Sequence, residues 1–468
     1  MKYVSTRGEA PELGFSDVVL TGLARDGGLY IPEKWPKLTP EEIAGLAGKP
    51  YAEVAFRIMQ PFVDGEIADA DLKAMLDDAY ATFRHPAVTP LTQLASDHFL
   101  LELFHGPTLA FKDVAMQILS RLMDHILEKR GARATIVGAT SGDTGGAAIE
   151  AFRGRERVDV FILFPNGRVS DVQRRQMTTP TDANVHSLAI QGNFDDAQAL
   201  VKAMFNHFSF RDRIGLAGVN SINWARIMAQ VVYYFVAGVA LGAPWRQIAF
   251  SVPTGNFGDI FAGYVASRMG LPIAKLVVAT NVNDILHRTL DTGRYEARDV
   301  VPSISPSMDI QVSSNFERLL FESYLRDGAA VRDLMRSFGQ SRSFALDPDA
   351  LAQIRTLFAS GRTDEATTQA TIAKTLQETG ILIDPHTATA VHQAGLHRVP
   401  GVPMVTMATA HPAKFPDAVV AASGIRPALP GWLRHIMTEE EHYSVVPADQ
   451  IVIERLIEER SQAVKVGL

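Results

Sequence analysis

Lys112 is the first residue whose type and position could support covalent chemistry. It lies in the segment LFHGPTLAFKD, from Leu103 to Asp113, between a Gly-Pro turn and an amphipathic helical pattern. The first turn of a helix disfavours a cation, because the helix dipole is positive at that end. A lysine amine held there in its neutral form can attack a carbonyl carbon and form an imine. A solvated lysine at the start of a helix is the alternative interpretation.

Two glycine-rich turns could bind anions. The turn GATSGDTGG runs from Gly138 to Gly146, and the turn VPTGNFGD runs from Val252 to Asp259. Each lies between an apolar run and a helical pattern, where backbone N–H groups can point at a carboxylate or a phosphate. The second turn matches neither GxGxxG nor GxxxxGK[ST], so a dinucleotide site or a P-loop is not indicated. Ordinary βα turns with Ser and Thr caps are the alternative.

The lysine and the two turns together favour a cofactor with one phosphate and one aldehyde. Pyridoxal phosphate (PLP) has both, since a lysine forms the imine, a glycine-rich turn holds the phosphate and the ring accepts electrons. The His, Asp and Glu residues show no metal-ligand spacing such as HExxH, so no metal site is predicted.

The segments that must position these residues alternate between short apolar strands and longer helices. Near-continuous apolar runs are typical of strands buried on both faces of a parallel sheet. Helical patterns lie between them, as in the four-residue apolar repeat from Val114 to Ile126. The alternation predicts an α/β fold with open, doubly wound sheets. The predicted strands are Ala134–Ala139, Val158–Phe164, Val185–Gln191, Ile248–Val252, Leu276–Thr280 and Pro403–Ala408.

Composition excludes several classes of function. The chain has 468 residues, 47% apolar and 21% charged, with a net charge of −7 and no dense Lys/Arg run, which argues against a nucleic acid or membrane partner. The absence of cysteine excludes disulfides, iron–sulfur clusters, thiolate zinc sites and a cysteine nucleophile. The N-terminal segment has no apolar signal region, and the apolar run at 231–243 is too short to span a bilayer. We therefore expect a cytoplasmic protein.

The order of several motifs resembles one enzyme family. The segments are FHGPTLAFKD, GATSGDTGGAA, NSINWARI, PTGNFGD, SSNFERLL, DPHTA and TAHPAKF. In this order they resemble the longer bacterial and fungal type of threonine synthase. The resemblance runs from STRG and DGGLYIP near the N-terminus to TAHPAKF near position 415, which is most of the chain. It implies PLP fold type II, similar to the tryptophan synthase β subunit, with two open doubly wound α/β domains and an N-terminal helical unit.

The resemblance implies a cofactor set and a substrate set. Lys112 would be the Schiff-base lysine, Thr409 would meet the pyridine nitrogen, and Asp143 would lie near the 3-oxygen of the ring. The cofactor phosphate would be held by Gly255, Asn256, Phe257, Gly258 and Asp259. The substrate carboxylate would be received by Thr140, Ser141 and Thr144, and the substrate phosphate by Asn220, Ser221 and Arg226.

Some roles stay open in the sequence. Many shorter relatives have Asn where Asp143 stands, and two anionic oxygens repel unless one is protonated, so the contact of Asp143 with the 3-oxygen is open. His105, His386 and His411 could be proton carriers, but each lies beside Gly or Pro in a turn, which favours structural roles. Asn315 and Arg318 of SSNFER could lie near the active site or simply begin a helix.

Four parts of the chain are expected. We predict an N-terminal helical domain at 1–95, which includes a helix with Thr39 as its N-cap. An α/β domain for the PLP lysine and the substrate follows at 96–235. An α/β domain for the cofactor phosphate spans 236–430, with a helical insertion near 310–380, and a C-terminal tail covers 431–468.

The implied reaction is the conversion of O-phospho-L-homoserine and water to L-threonine and phosphate by β,γ-elimination and replacement. Two alternatives are a PLP-dependent phospho-lyase that makes 2-oxobutyrate and a non-catalytic sensor of PLP or a phosphate ester. We expect a monomer or a homodimer that binds a small-molecule substrate.

Overall fold

Short parallel strands and longer helices alternate through most of the chain. The computed structural model describes residues 1–140 and 142–465, with side chains as far as residue 463. Its strands are β1 Tyr3–Ser5, β2 Tyr30–Pro32, β3 Leu91–Ala95, β4 His98–Glu102, β5 Ala134–Ala139, β6 Val158–Pro165, β7 Val185–Gln191, β8 Leu216–Ala217, β9 Ile248–Pro253, β10 Ile273–Thr280, β11 Arg294–Glu296, β12 Ser343–Ala345, β13 Phe358–Arg362, β14 Met404–Ala408 and β15 Ser444–Pro447.

Helices occupy many of the segments between these strands. They are α1 Phe15–Thr21, α2 Pro40–Ala44, α3 Tyr51–Val63, α4 Asp69–Tyr80, α5 Lys112–Arg130, α6 Asp143–Phe152, α7 Asp171–Thr178, α8 Phe194–Asn206, α9 Phe208–Arg213, α10 Trp224–Ala240, α11 Gly258–Met269, α12 Ile285–Thr292, α13 Phe316–Ser323, α14 Gly328–Ser341, α15 Pro348–Leu357, α16 Glu365–Thr379, α17 Pro385–Leu396, α18 Pro416–Ser423, α19 Gln450–Arg460 and α20 Gln462–Lys465. Short 3₁₀ turns lie at Pro306–Met308, Pro412–Lys414 and Gly431–Met437.

The strands form two main sheets. The six-stranded sheet has the order β13-β10-β9-β14-β4-β3 and is parallel except for the antiparallel edge pair β3–β4. The five-stranded sheet has the order β15-β7-β6-β5-β8 and is parallel throughout. In open parallel sheets, ligands bind beyond the carboxyl ends of the strands. The two glycine-rich turns, Lys112 and Thr409 all follow such ends, at β5, β9, β4 and β14 respectively.

The six predicted strands are all present, with bounds that shift by at most a few residues. The structure adds strands that the apolar runs did not indicate, including β4, which pairs with β14 in the interior of its sheet. This strand begins with the polar His98, whose Nε2 lies 2.8 Å from Thr406 Oγ1 on β14. A buried strand that starts on a hydrogen-bonded histidine does not show a continuous apolar run.

The N-terminal part contains the helices α1 to α4 and the strand pair β1–β2, and α1, α2 and α3 pack against α10. Thr39 caps α2 in a capping box, because it accepts a hydrogen bond from the N–H of Glu42 while the Glu42 carboxylate accepts from the N–H of Thr39. The indole of Trp224, at the start of α10, is fully buried among aromatic rings of the N-terminal part, including Tyr3 and Phe62. This packing sets the position of the helix that carries Arg226.

The four-part division at 95, 235 and 430 stays a proposal, and strand pairing crosses each of its boundaries. β3 and β4 belong to the sheet of β9, β10 and β14, while β15 from the proposed tail pairs with β7. Within the described residues, none of the helices is long and apolar enough to cross a membrane.

Candidate active site

Lys112 begins α5 at the bottom of a buried polar cluster. Its side chain is 11% exposed, and its Nζ lies 3.5 Å from Asp143 Oδ2 and 4.9 Å from the centre of the Phe111 ring. The backbone N–H of Phe111 donates to the carbonyl oxygen of Thr409 at 2.8 Å. This bond ties the lysine to the residue that follows β14, so the predicted imine lysine and the predicted pyridine partner are held by adjacent backbone.

The electrostatics of the cluster reduce the proton affinity of the Lys112 amine. Burial lowers the pKa of Lys112 below its ordinary value, and the charges of Lys414 and Arg226 lower it further, while Asp143 acts in the opposite direction. The balance favours burial and like charge over the single carboxylate. A lower pKa increases the fraction of Lys112 that is neutral at a given pH, and the neutral amine is the form that acts as a nucleophile or accepts a proton.

Asp143 is the anion at the centre of the cluster. Burial alone would raise the pKa of Asp143, but the charges of Lys414 and Lys112 outweigh burial and hold this pKa well below its ordinary value. Oδ1 lies 2.8 Å from Lys414 Nζ and accepts from Gln173 Nε2 at 2.9 Å. Oδ2 faces Lys112 and accepts from Ser307 Oγ at 3.2 Å. The carboxylate is therefore ionised and held from four sides.

The first glycine-rich turn is braced by Thr140. The buried Thr140 Oγ1 accepts hydrogen bonds from the N–H groups of Gly142 and Gly145, both at 2.9 Å. The lone pairs of the hydroxyl thus shape the turn, which leaves its O–H as the group that can face a ligand. Thr144 lies partly buried in the first turn of α6. Ser141, the third residue predicted to receive the substrate carboxylate, lies outside the described residues.

The second glycine-rich turn presents the N-terminus of α11. Phe257 is its N-cap in the left-handed region, with φ of 64°, a conformation that directs consecutive backbone N–H groups into one concave site. A Cβ on Gly255 would lie 2.9 Å from Ile310 Cγ1, so only glycine fits there. These features match the predicted phosphate cradle.

The side chain of Asp259 points away from that cradle. Asp259 Oδ1 accepts from Tyr233 Oη at 2.6 Å and from Tyr234 Oη at 3.0 Å, both on α10. Burial raises the pKa of Asp259 to about 6, because the two tyrosine hydrogen bonds only partly offset it. Any contribution of Asp259 to the phosphate turn therefore comes from its backbone N–H, while its carboxylate joins α11 to α10.

Arg226 is a buried cation that forms no ion pair with an acidic side chain among the described residues. Its Nη1 donates to the carbonyl oxygen of Val219 at 3.2 Å, and its Nε has no hydrogen-bond partner among the described residues. Burial lowers the pKa of Arg226 to about 10. Burying a guanidinium that is not paired is costly, so this side chain is poised for an anion.

The other two residues of the predicted phosphate clamp differ from Arg226 in their burial. Asn220 is exposed and Ser221 is partly buried, both in the loop before α10. The Ser221 carbonyl accepts a hydrogen bond from Asn315 Nδ2 at 3.1 Å. The same amide donates to the Asn256 carbonyl, also at 3.1 Å. Asn315 therefore joins the NSINWAR loop to the phosphate turn.

Arg318 completes this junction. It is fully buried, its Nη1 donates to Asn315 Oδ1, and its Nη2 donates to the carbonyl oxygens of Tyr30 at 2.9 Å and Ile222 at 2.6 Å. Asn315 and Arg318 therefore do more than begin a helix, because their hydrogen bonds hold two predicted binding segments together. Whether either residue contacts the substrate stays a prediction.

The three histidines have partners that suit structural roles. His105 Nε2 lies 2.7 Å from Glu102 Oε2, and His411 Nδ1 accepts from the N–H of Ala413 at 3.1 Å. His386 Nδ1 lies 2.6 Å from Asp384 Oδ2, and its Nε2 accepts from the N–H of Ser307 at 3.2 Å. His386 thus supports the loop that brings Ser307 to Asp143.

Comparison with known proteins identifies the family of this chain. A model described as threonine synthase N terminus matches residues 2–80, one described as pyridoxal-phosphate dependent enzyme matches 83–366, and one described as threonine synthase, C-terminal, matches 387–457. Threonine synthase from Pseudomonas aeruginosa is 55% identical over 459 residues, which cover 98% of both chains. The chain belongs to the threonine synthase family.

Solved structures of threonine synthases have the same architecture. The crystal structure of PLP-bound threonine synthase from Brucella melitensis is 60% identical, with a TM-score of 0.97 over 99% of this chain and 100% of that one. Threonine synthase from Escherichia coli is 33% identical, with a TM-score of 0.83 over 98% of this chain and 100% of that one. These matches confirm the predicted family, PLP fold type II, cofactor and activity, and they do not favour the lyase and sensor alternatives.

Sequence reasoning missed three residues that surround Asp143. Lys414 belongs to the motif TAHPAKF, where it lies between Ala413 and Phe415, and a lysine with apolar neighbours on both sides is a usable signal for a buried charge. Gln173 was visible only as the last residue of a Ser-x-x-Gln capping box at the start of α7. Ser307 lies in the short 3₁₀ turn Pro306–Met308 and carried no signal in the sequence.

The glycine at 258 allows a test of the phosphate turn. A Cβ there would lie 3.3 Å from Asn315 Nδ2 and 3.5 Å from Ile227 Cδ1. We expect Gly258→Val to displace Asn315, distort the turn and increase PLP loss on dialysis. Gly339→Val is the control, because a Cβ at this exposed helical glycine meets nothing within 4 Å. Equal PLP retention in the two variants would contradict a cofactor role for the turn.

The junction at Arg318 predicts a large effect on stability. Arg318→Met leaves the buried carbonyls of Tyr30 and Ile222 without donors, at a cost of about 1–3 kcal/mol for each unsatisfied group. We expect urea unfolding to show this loss, whereas Arg336→Met, at a 66% exposed side chain on α14, changes the free energy of unfolding by less than about 0.5 kcal/mol. Matching urea midpoints for the two variants would show that Arg318 does not hold the junction.

Proposed function

We propose that this chain converts O-phospho-L-homoserine and water to L-threonine and phosphate, with Lys112 as the PLP lysine. The observation that carries the assignment is the buried Arg226, which has no acidic partner in the part of the chain that the structure describes and which lowers the pKa of Lys112. A phosphate-bearing substrate supplies the missing anion. The positive charges of Lys414 and Arg226 outnumber the single negative charge of Asp143, which suits a site that receives anionic phosphate and carboxylate groups.

The residues present fit PLP. Gly255, Phe257 and Gly258 form a concave turn at the N-terminus of α11, where a phosphate is stabilised by free N–H groups and the helix dipole. Thr409 would meet the ring nitrogen as a neutral hydroxyl, which protonates that nitrogen less than an acidic partner would. When bound, PLP supplies an aldehyde that links to an amine and a ring that withdraws electrons from the α-carbon.

Lys112 has two tasks in this proposal. Its Nζ holds the cofactor before substrate arrives, and once displaced by the substrate amine it accepts the proton from the α-carbon. The lowered pKa of Lys112 suits both tasks, because both need the neutral amine. When Lys112 has accepted the proton, its Nζ is positively charged. The Asp143 carboxylate, with Oδ2 3.5 Å from Nζ, stabilises this charge.

The substrate is oriented from both ends. We assign its phosphate to Arg226 with Asn220 and Ser221, whose loop is anchored by Asn315. A guanidinium can donate two parallel hydrogen bonds to phosphate oxygens, which places the leaving group as well as binding it. The turn of Thr140, Ser141 and Thr144 receives the carboxylate at the N-terminus of α6.

We also propose a cytoplasmic location and a monomer or homodimer without a nucleic acid or membrane partner. The moderate net charge of −7 and the absence of a dense basic run support this view. Size-exclusion chromatography with light scattering measures the oligomeric state directly.

The overall activity is tested by incubating the purified protein with O-phosphohomoserine and identifying the products. Threonine and phosphate in equal amounts are expected. Phosphate with 2-oxobutyrate in place of threonine would indicate the lyase, and binding without turnover would indicate a sensor.

Replacement of Lys112 tests the cofactor assignment. We expect Lys112→Ala to lose the visible absorbance of bound PLP and nearly all turnover, because the imine and the proton acceptor are both removed. Lys129→Ala, at an exposed lysine on the same helix, is the control and keeps both properties. The assignment would be refuted if borohydride trapped PLP on another lysine of the Lys112→Ala variant. Peptide mapping would examine the buried Lys414 first.

Replacement of Arg226 tests recognition of the substrate phosphate. Two charge-assisted hydrogen bonds contribute roughly 1.5–3 kcal/mol each, so Arg226→Ala lowers kcat/KM for O-phosphohomoserine by roughly 10²- to 10⁴-fold. Arg226→Lys keeps the charge without the two-pronged geometry and falls between. PLP content stays unchanged, and Arg57→Ala at an exposed arginine has no comparable effect.

Two further measurements separate recognition from a structural role. With a substrate analogue that lacks phosphate, Arg226→Ala should react at nearly the wild-type rate. The free energy of unfolding should not fall sharply, because the substitution leaves no acidic side chain unpaired among the described residues. An equal loss of rate for both substrates would exclude phosphate recognition by Arg226.

A further inference from the structure

Lys414 is a second buried lysine beside Lys112, and the reaction proposed above gives it no task. Its side chain is 0% exposed, at the end of the 3₁₀ turn Pro412–Lys414 that follows β14. Its Nζ donates to the carbonyl oxygen of Thr108 at 2.8 Å and lies 2.8 Å from Asp143 Oδ1. Burying an ammonium group costs several kcal/mol before its partners offset it, and an apolar side chain of similar size would fill the same space.

The two lysines contact Asp143 unequally. Lys414 lies within close ion-pair distance of Oδ1, at 2.8 Å, whereas Lys112 is 3.5 Å from Oδ2. Gln173 donates to Oδ1 and Ser307 to Oδ2, so the carboxylate has little freedom to turn. The short ion pair is therefore made with the lysine that does no chemistry.

We propose that Lys414 is a positioning residue, which engages Asp143 so that this carboxylate does not close onto Lys112, and the Lys112 amine stays available as nucleophile and base. The proposal rests on the proposed function, because it assumes that Lys112 is the reactive lysine.

The charges around Lys112 support this role. The ionisable groups that act on its amine are Asp143 on α6, Lys414 after β14 and Arg226 on α10. Lys414 lowers the pKa of Lys112 by direct repulsion, and it also holds the carboxylate that would raise this pKa. Loss of Lys414 therefore raises the pKa of Lys112 through both effects, and at a given pH below that pKa fewer Lys112 amines are neutral.

The test measures Lys112 itself. The full chain, freed of PLP and shown to be folded by its thermal transition, is labelled with formaldehyde and cyanoborohydride over a range of pH. Mass spectrometry of the Lys112 peptide gives the pH at which the amine becomes reactive. We expect Lys414→Met to raise this midpoint by about one pH unit or more. At any pH below both midpoints, the labelling rate then falls about tenfold, because the neutral fraction of Lys112 falls by that factor.

Matched variants identify the cause. Lys374→Met, at a 71% exposed side chain on α16, leaves the midpoint unchanged, and Lys414→Arg keeps the wild-type midpoint because it preserves the charge. In an Asp143→Asn background, Lys414→Met produces a much smaller shift, since Lys414 then has no carboxylate to hold. If the Met variant does not fold, Lys414→Gln can still donate to Thr108 and Asp143, and it shifts the midpoint in the same direction.

The outcomes are distinct from those that test the proposed function. A wild-type midpoint in both Lys414→Met and Lys414→Gln, or an undiminished shift in the Asp143→Asn background, overturns the positioning role. Attachment of PLP to a lysine other than Lys112 overturns the proposed function instead. The labelling is carried out without PLP, so its result does not depend on where the cofactor attaches.

Discussion

The buried carboxylate of Asp143 is the interaction on which the site depends. It lies where the carboxyl ends of the two parallel sheets meet, and it contacts groups from α5, α7, the Ser307 loop and the segment after β14. An isolated carboxylate could not remain ionised at such a depth. Two lysines and two neutral donors keep it charged, and in return it links segments that are far apart in the chain.

The carboxylate of Asp143 would repel an anionic oxygen of the cofactor ring unless its charge were compensated. Lys414 and Gln173 occupy the Oδ1 side, and Lys112 and Ser307 face Oδ2, so the negative charge is compensated within the protein. Relatives with a neutral Asn at this place would have no such charge to balance, and a lysine at 414 would then lack its partner.

The two buried arginines show how burial separates structure from function. Arg318 donates hydrogen bonds from its three guanidinium nitrogens to backbone carbonyls and to Asn315. These hydrogen bonds stabilise the buried cation without an acidic partner among the described residues. Arg226 donates to one carbonyl and leaves Nε unpaired. The first arginine is satisfied by the fold, whereas the second needs an anion that the described residues do not provide.

The sequence by itself determined the local features, because each depends on residues near one another in the chain. These features are the parallel strands, the two glycine-rich turns and the lysine at the start of α5. It also placed Asn315 and Arg318 within a notable motif. Only the tertiary structure decided which charges meet. Three features depend on how the two sheets and α10 pack. They are the Asp143–Lys414 ion pair, the hydrogen bond of Asp259 with Tyr233, and the lack of an acidic partner for Arg226 among the described residues. Charge compensation inside a protein is a property of three-dimensional neighbours, and residue spacing along the chain does not encode it.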